Sequence, residues 1–258
     1  MKGSKFLTIN TVKVRSVIIP FSSLNDHLCN FVRSVIVERS NPEFACFLGR
    51  TGSSTLARIN GTNYICITKH ELKLTGGLGE IRIAAGFGGV ARNITFDQAI
   101  FADGPWAEHE EFADILLLRA HKQELLQNPD FPYFIPVRAF DRDKVFASFI
   151  VACPFYDDNI EVDPMTGETT GFHQKSVVRD CEWDKTYRGY ARFVEKFTYT
   201  PKAEFTENGM SGGAVFSIVE TPSGLEVFLH GIITMAGNGS LYVVSSAFLL
   251  NLKHGKFI

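Results

Sequence analysis

Residues Gly209-Met210-Ser211-Gly212-Gly213 set one serine among three glycines, after a polar run (202–208) and before an apolar one (214–219). A nucleophilic serine for acyl transfer needs a hydroxyl that projects from a tight turn. It also needs backbone N–H groups aimed at the oxyanion formed when a carbonyl is attacked. Glycine allows both, because without Cβ the backbone tolerates left-handed dihedrals and close approach by other groups. The same five residues also read as a flexible loop with an incidental serine, since short glycine motifs recur by chance. The rest of the chain has to decide.

One arrangement with G-x-S-x-G is the α/β-hydrolase elbow, in which an acid and then a histidine follow the serine. Only 47 residues follow Ser211; they include His230, His254, Glu220 and Glu226 but no aspartate. Residues 214–219 are β-branched and aromatic, a strand pattern rather than the helix that elbow requires. The opposite order, His then Asp then Ser, directs attention upstream.

Upstream, residues 55–59 and 64–68 flank Asn60-Gly61, a strong hairpin signal. This hairpin delivers the chain to Lys69-His70. A histidine just past a well-formed strand is held firmly and can still face a cleft. Read alone it is a surface histidine at a strand end. Asp114 leads directly into Ile115-Leu116-Leu117-Leu118. A carboxylate at the mouth of a buried strand needs a partner, and a histidine N–H would serve. Read alone it is a turn aspartate before an edge strand.

The elements around these residues are short and extended. Residues 1–22 read as extended structure with an edge strand, and 24–37 as a short helix capped by Ser23 or Asn25. Residues 44–48 read as a strand and 49–52 as a turn. Further strands are expected over 81–85 and 90–96, and at Phe101. A linker falls near 120–136. Beyond it, strands are expected over 145–153, 176–181, 189–199, 214–219, 225–233 and 240–244, with a short helix over 247–252. Strands this short, spaced about 8–12 residues apart, predict an all-β fold of two antiparallel barrels or sandwiches.

Composition narrows the class. The 258 residues are 45% hydrophobic and 21% charged, with a net charge of −2. That is ordinary for a soluble globular chain and gives no basic face for nucleic acid. No apolar run is long enough for a membrane span, and residues 1–11 do not read as a secretory signal. The cysteines Cys29, Cys46, Cys66, Cys153 and Cys181 are odd in number and scattered. This argues against a disulfide framework and for a reducing, cytoplasmic setting.

Taken together, His70, Asp114 and Ser211 resemble the trypsin-like (chymotrypsin-fold) serine peptidases. Their separations are 44 and 97 residues. Thr68-Lys69-His70 is similar to that family's strand ending in Thr-x-His. Asp114 with its aliphatic run, and Gly209-x-Ser211-Gly212-Gly213, are similar to its other two signatures. His230-Gly231-Ile232-Ile233-Thr234 resembles its cleft-bordering strand. Four departures stand out: Glu71 rather than a cysteine directly follows His70, no cysteine lies shortly before Ser211, Met210 replaces the aspartate of secreted zymogens, and Lys69 is bulkier than the usual residue.

The resemblance implies two six-stranded β-barrels with the active site in the cleft between them, and short helices near the two ends of the chain. It divides the chain into an extension (1–43), a first barrel with His and Asp (44–125) and a second with Ser and the specificity pocket (126–258). It implies an endopeptidase that works through an acyl-enzyme on protein or peptide substrates. His70, Asp114 and Ser211 would be catalytic, with the N–H groups of Gly209 and Ser211 as oxyanion hole and no metal or cofactor. The pocket would be lined by Phe205, Thr234, Met235 and Ala236, favouring a small or medium apolar residue. A one-residue shift would instead bring in Glu204 or Glu207 and select basic residues. The alternative is a catalytically silent or partner-activated domain that serves as a protein-binding module.

Overall fold

The computed structural model describes residues 11–257 apart from 42–43, 75–76, 88–89, 122–133, 155–159, 164, 166–168, 173–175, 188, 190–191, 202–206 and 254–255. The chain begins with the hairpin β1 (Thr11–Val14) and β2 (Val17–Pro20), then helix α1 (Leu24–Cys29). Next come β3 (Val32–Asn41), β4 (Phe44–Ile59), β5 (Thr62–Thr68), β6 (Ile81–Phe87), β7 (Val90–Asn93) and β8 (Phe96–Phe101). Helix α2 (Glu110–Ala113) precedes β9 (Ile115–Ala120) and β10 (Ile135–Pro136). The second half holds β11 (Val145–Ala152), β12 (Ile160–Val162), β13 (Thr169–Phe172), β14 (Val177–Trp183), β15 (Val194–Thr198), β16 (Ala214–Thr221), β17 (Gly224–Gly237) and β18 (Ser240–Ser245). Helix α3 (Ser246–Leu249) and the pair β19 (Leu252–Lys253) and β20 (Lys256–Phe257) complete it.

These strands form two large sheets and two separate two-stranded pairs, β12 with β13 and β19 with β20. In the second large sheet, β16 pairs with both β11 and β17, so the path β16-β11-β14-β15-β18-β17 closes as a six-stranded antiparallel barrel. The first runs β7-β6-β3-β4-β5-β9-β8 with β10 beside β4; it is curled and stays open along this path among the described residues. The fold is therefore all-β and of the two-barrel chymotrypsin-like kind, one barrel closed and its companion a longer open sheet rather than a second six-stranded ring.

Packing explains the unbroken apolar runs. Along β5, Ile65 and Ile67 face the interior of the first sheet, while Tyr64 and Cys66 join a core shared between the sheets. Along β9, Leu116 and Leu118 turn inward, while Ile115 and Leu117 meet the other half. A strand buried on both faces loses the polar alternation of a half-exposed one. The shared core also takes in Leu28, Phe31, Phe216 and Phe248. Ile150, Phe197, Met210, Ile233 and Val243 fill the closed barrel.

Three local readings change. The helix expected over 24–37 stops at Cys29, and its second half is β3, paired with β4 on one side and β6 on the other. Val32, Val35, Ile36 and Val37 are β-branched and suit a sheet better than a helix. Thus part of the segment read as an extension lies in the middle of the first sheet, and the β1-β2 hairpin adds to the closed barrel through β17. The turn expected over 49–52 is instead ladder. Val35 faces Gly52 and Ile36 faces Arg50, so Thr51 is the extra residue of a β-bulge. Gly52 admits the Glu71 side chain, whose Oε1 lies 1.7 Å from where a Cβ would stand. The Asn60-Gly61 turn is as expected, with φ of 48° and 84° and Ile59 paired to Thr62.

Candidate active site

Strand pairing creates the first half of the site. Thr68, the last residue of β5, pairs with Ile115, the first of β9. One step further, Lys69 N–H donates to the Asp114 carbonyl at 2.7 Å. His70 follows, in the first turn of a 3-10 helix. Its backbone N–H donates to Asp114 Oδ1 at 2.9 Å, and its ring Nδ1–H donates to Oδ2 at 2.7 Å. Both carboxylate oxygens thus hold the same histidine, which fixes the tautomer and leaves Nε2 as the acceptor. Lys69, bulky for this position, lays its ammonium over the Phe101 ring, 4.7 Å from the centroid.

The second half is the serine loop, where nearly every backbone group is accounted for. Ser53 Oγ–H donates to the Gly209 carbonyl at 2.6 Å and Gly213 N–H to the Met210 carbonyl at 2.9 Å. Ser53 N–H donates to the Ser211 carbonyl at 3.0 Å, Thr55 Oγ1–H to that of Gly212 at 2.7 Å, and Ile233 N–H to that of Gly213 at 2.8 Å. On the donor side, Met210 N–H reaches the Glu207 carbonyl and Gly212 N–H the Ile233 carbonyl. The N–H groups of Gly209 and Ser211 have no acceptor among the described residues. Gly209 and Gly212 have φ of 81° and 79°, the left-handed region in which glycine is at ease. At Gly212 a Cβ would also stand 1.9 Å from the Ser53 carbonyl oxygen.

The two halves meet across the sheets. The position of a Cβ on Gly212 lies 3.5 Å from Cα of Ile67, three residues before His70 on β5. The serine loop of the closed barrel therefore packs against β5, the strand of the first sheet that leads to the His70–Asp114 pair. Ser211 Oγ–H donates to the Thr234 carbonyl at 3.3 Å rather than to His70. Thr234 is the bulged residue of β17, between Ile233 paired with Val243 and Met235 paired with Tyr242.

Of the expected pocket residues, Thr234 is buried, Ala236 half-buried and Met235 about half exposed. Phe205 and Glu204 lie outside the described residues. Glu207 is described and its carboxylate is engaged. It accepts Tyr199 O–H and Gly239 N–H at Oε1, and Asn238 N–H at Oε2. Burial pushes this carboxyl up, but the bonds from Tyr199, Gly239 and Asn238 outweigh it and hold the group below the usual range. Glu207 thus ties the serine loop to the β17-β18 turn.

Sequence reading missed Ser53 and Thr55, whose side chains reach the serine loop from β4. It also passed over a buried row in the closed barrel. His230 Nε2–H donates to Glu195 Oε2 at 2.6 Å, Ser217 Oγ–H donates to His230 Nδ1 at 2.7 Å, and Ser148 lies 2.8 Å beyond Ser217. Only the Gly-Ser-Ser-Thr run and the buried-strand setting of His230 hinted at either.

No protein-family model matches this chain, and no curated protein matches it by sequence. Among solved structures, it is similar to the crystal structure of tobacco vein mottling virus protease, at 16% identity over 89% of this chain and 85% of that one, with a TM-score of 0.46.

Proposed function

We propose that the chain is a serine endopeptidase. The carrying observation is the His70–Asp114 pair, with Nε2 left as acceptor at the end of the strand on which the serine loop packs, together with the N–H groups of Gly209 and Ser211 in that loop, which have no acceptor among the described residues. In this reading Ser211 Oγ rotates from the Thr234 carbonyl toward His70 as substrate binds, in keeping with catalytic bonds that tighten only in the complex. Oγ attacks the scissile carbonyl and its proton passes to His70 Nε2. The N–H groups of Gly209 and Ser211 receive the oxyanion, each worth about 3–4 kcal/mol in the transition state. The C–N bond then breaks as His70 protonates the leaving amine. Water, deprotonated by His70, releases the acyl group and restores Ser211. No step calls for a metal or cofactor. The scattered cysteines, with Cys29, Cys66, Cys153 and Cys181 as free thiols, support a cytoplasmic setting.

A fluorophosphonate probe should label Ser211 in the folded protein and leave Ser211→Ala unlabelled. A folded wild type that takes no label overturns the reading.

One observation favours a second reading, a domain activated by a partner: the hydroxyl of Ser211 rests on Thr234 rather than His70. Labelling that appears only with a peptide or protein ligand present would support it. Removal of residues 1–43 is no test, because it deletes β3 and the buried Leu24, Leu28, Phe31 and Val32.

A further inference from the structure

The serine loop belongs to the closed barrel, yet two of its carbonyls are held by side chains of the first sheet. Ser53 and Thr55 stand two apart on β4 and both are fully buried. Ser53 carries the greater share. Its Oγ accepts the Cys153 N–H at 2.8 Å, from the chain just past β11, so its own hydrogen is free for the Gly209 carbonyl at 2.6 Å. Its N–H takes the Ser211 carbonyl at 3.0 Å.

Those contacts bear on the direction of the loop's N–H groups. A trans peptide is planar, with C=O and N–H pointing opposite ways. The peptide after Gly209 is pinned at its carbonyl by Ser53 Oγ and at its N–H by the Glu207 carbonyl. With that plane fixed, the left-handed φ of Gly209 sets the peptide before it, and so its N–H. If the carbonyl is released, glycine has little intrinsic resistance to turning that peptide over. The competing orientation would aim a carbonyl, not an N–H, at the place where negative charge develops.

We propose that Ser53 is a positioning residue for this loop, its hydroxyl holding the Gly209 carbonyl so that the N–H groups of Gly209 and Ser211 stay aimed at the substrate carbonyl. The role rests on the serine-peptidase reading above and extends it across the sheet boundary. Ser53 touches no substrate; it acts through the loop.

Ser54 provides the control. It is equally buried on the same strand, and its hydroxyl donates to the Arg33 carbonyl at 3.1 Å, away from the serine loop. Ser53→Ala and Ser54→Ala each delete one buried hydroxyl, so both should lower the thermal midpoint. Only Ser53→Ala should slow fluorophosphonate labelling and kcat, by about ten- to a hundredfold with KM nearly unchanged, the scale of a misaimed catalytic group. Ser53→Cys keeps the shape with a weaker donor and should fall between wild type and Ser53→Ala, which keeps the test alive if the alanine variant does not fold. Amide hydrogen exchange over residues 207–213 should quicken in the Ser53 variants and not in Ser54→Ala. Equal labelling, kcat and exchange in the Ser53 and Ser54 variants overturns the proposal. If the wild type neither labels nor cleaves, the peptidase reading fails, and exchange alone then decides whether Ser53 holds the loop.

Discussion

Two of the described histidines, His70 and His230, each bind a carboxylate at one ring nitrogen, and their surroundings set them apart. At the junction of the sheets, the side chains of His70 and Asp114 are 42% and 17% exposed; inside the closed barrel, those of His230 and Glu195 are 0% and 6% exposed. Asp114 takes Nδ1 and leaves Nε2 open. Glu195 takes Nε2, and Ser217 fills Nδ1. Phe197, Phe140 and Trp183 wall the second imidazole with edge-on rings, and Arg142 occupies the other oxygen of Glu195. Residue types alone would make both sets Ser-His-acid rows. What distinguishes them is an unoccupied ring nitrogen and exposure: among the described residues Nε2 of His70 has no partner and the ring is open to solvent, whereas both nitrogens of His230 are taken and the ring is sealed. The buried row is a saturated polar network, which specifies packing and leaves no group available to react.

The sharpest break of this comparison is in turnover. Ser211→Ala or His70→Ala should lower peptide hydrolysis by about 10⁶-fold, and Asp114→Asn by about 10⁴-fold. The thermal midpoints should stay near that of wild type, because these groups sit at an open surface. Steady-state kinetics and calorimetry on the same preparations check both halves. Variants that unfold while keeping turnover would reverse the assignment of the two rows.

Glu195→Gln should behave in the opposite manner. It removes the charge between Arg142 and His230 and should lower unfolding free energy by about 3 kcal/mol, the scale for breaking a buried ion pair. Turnover per folded molecule should change little. Denaturant titration beside active-site labelling separates these quantities, and a large kcat loss without a stability loss would show that the buried row takes part in the chemistry.

The smallest effect concerns pH. Burial drives the His230 imidazole below its ordinary value near 6.5, more than Glu195 raises it, and Arg142 adds to the lowering. The folded state therefore resists a proton that the unfolded chain accepts. Stability from this group is complete above about pH 6.5 and is lost as pH falls below it, at no more than about 1.4 kcal/mol per pH unit. Thermal midpoints between pH 5 and 8 should fall on acidification, and His230→Asn should flatten that slope. An unchanged slope in the variant would mean that His230 is neutral in both states or charged in both.

The divide between legible and illegible features follows how far apart the cooperating residues lie. Asn60-Gly61 announced its hairpin because two adjacent residues carry the required dihedrals. The aliphatic run after Asp114 announced β9 because a strand buried on both faces has no polar alternation to offer. The order of His70, Asp114 and Ser211, and the need for glycine at 209 and 212, are also local signals, since each reflects the backbone at its own position. The sequence by itself determined these. The tertiary structure decided β3, which competed with a helical reading until β4 and β6 flanked it, and the bulge at Thr51, where Gly52 makes room for Glu71 instead of turning the chain. It also decided that Glu207 ties down a turn, that His230 is sealed in the barrel, and that Ser53 reaches the Gly209 carbonyl 156 residues away. Hydrogen bonds between residues so distant depend on which strands pair and which sheets meet, and no local preference of serine, glutamate or histidine encodes that.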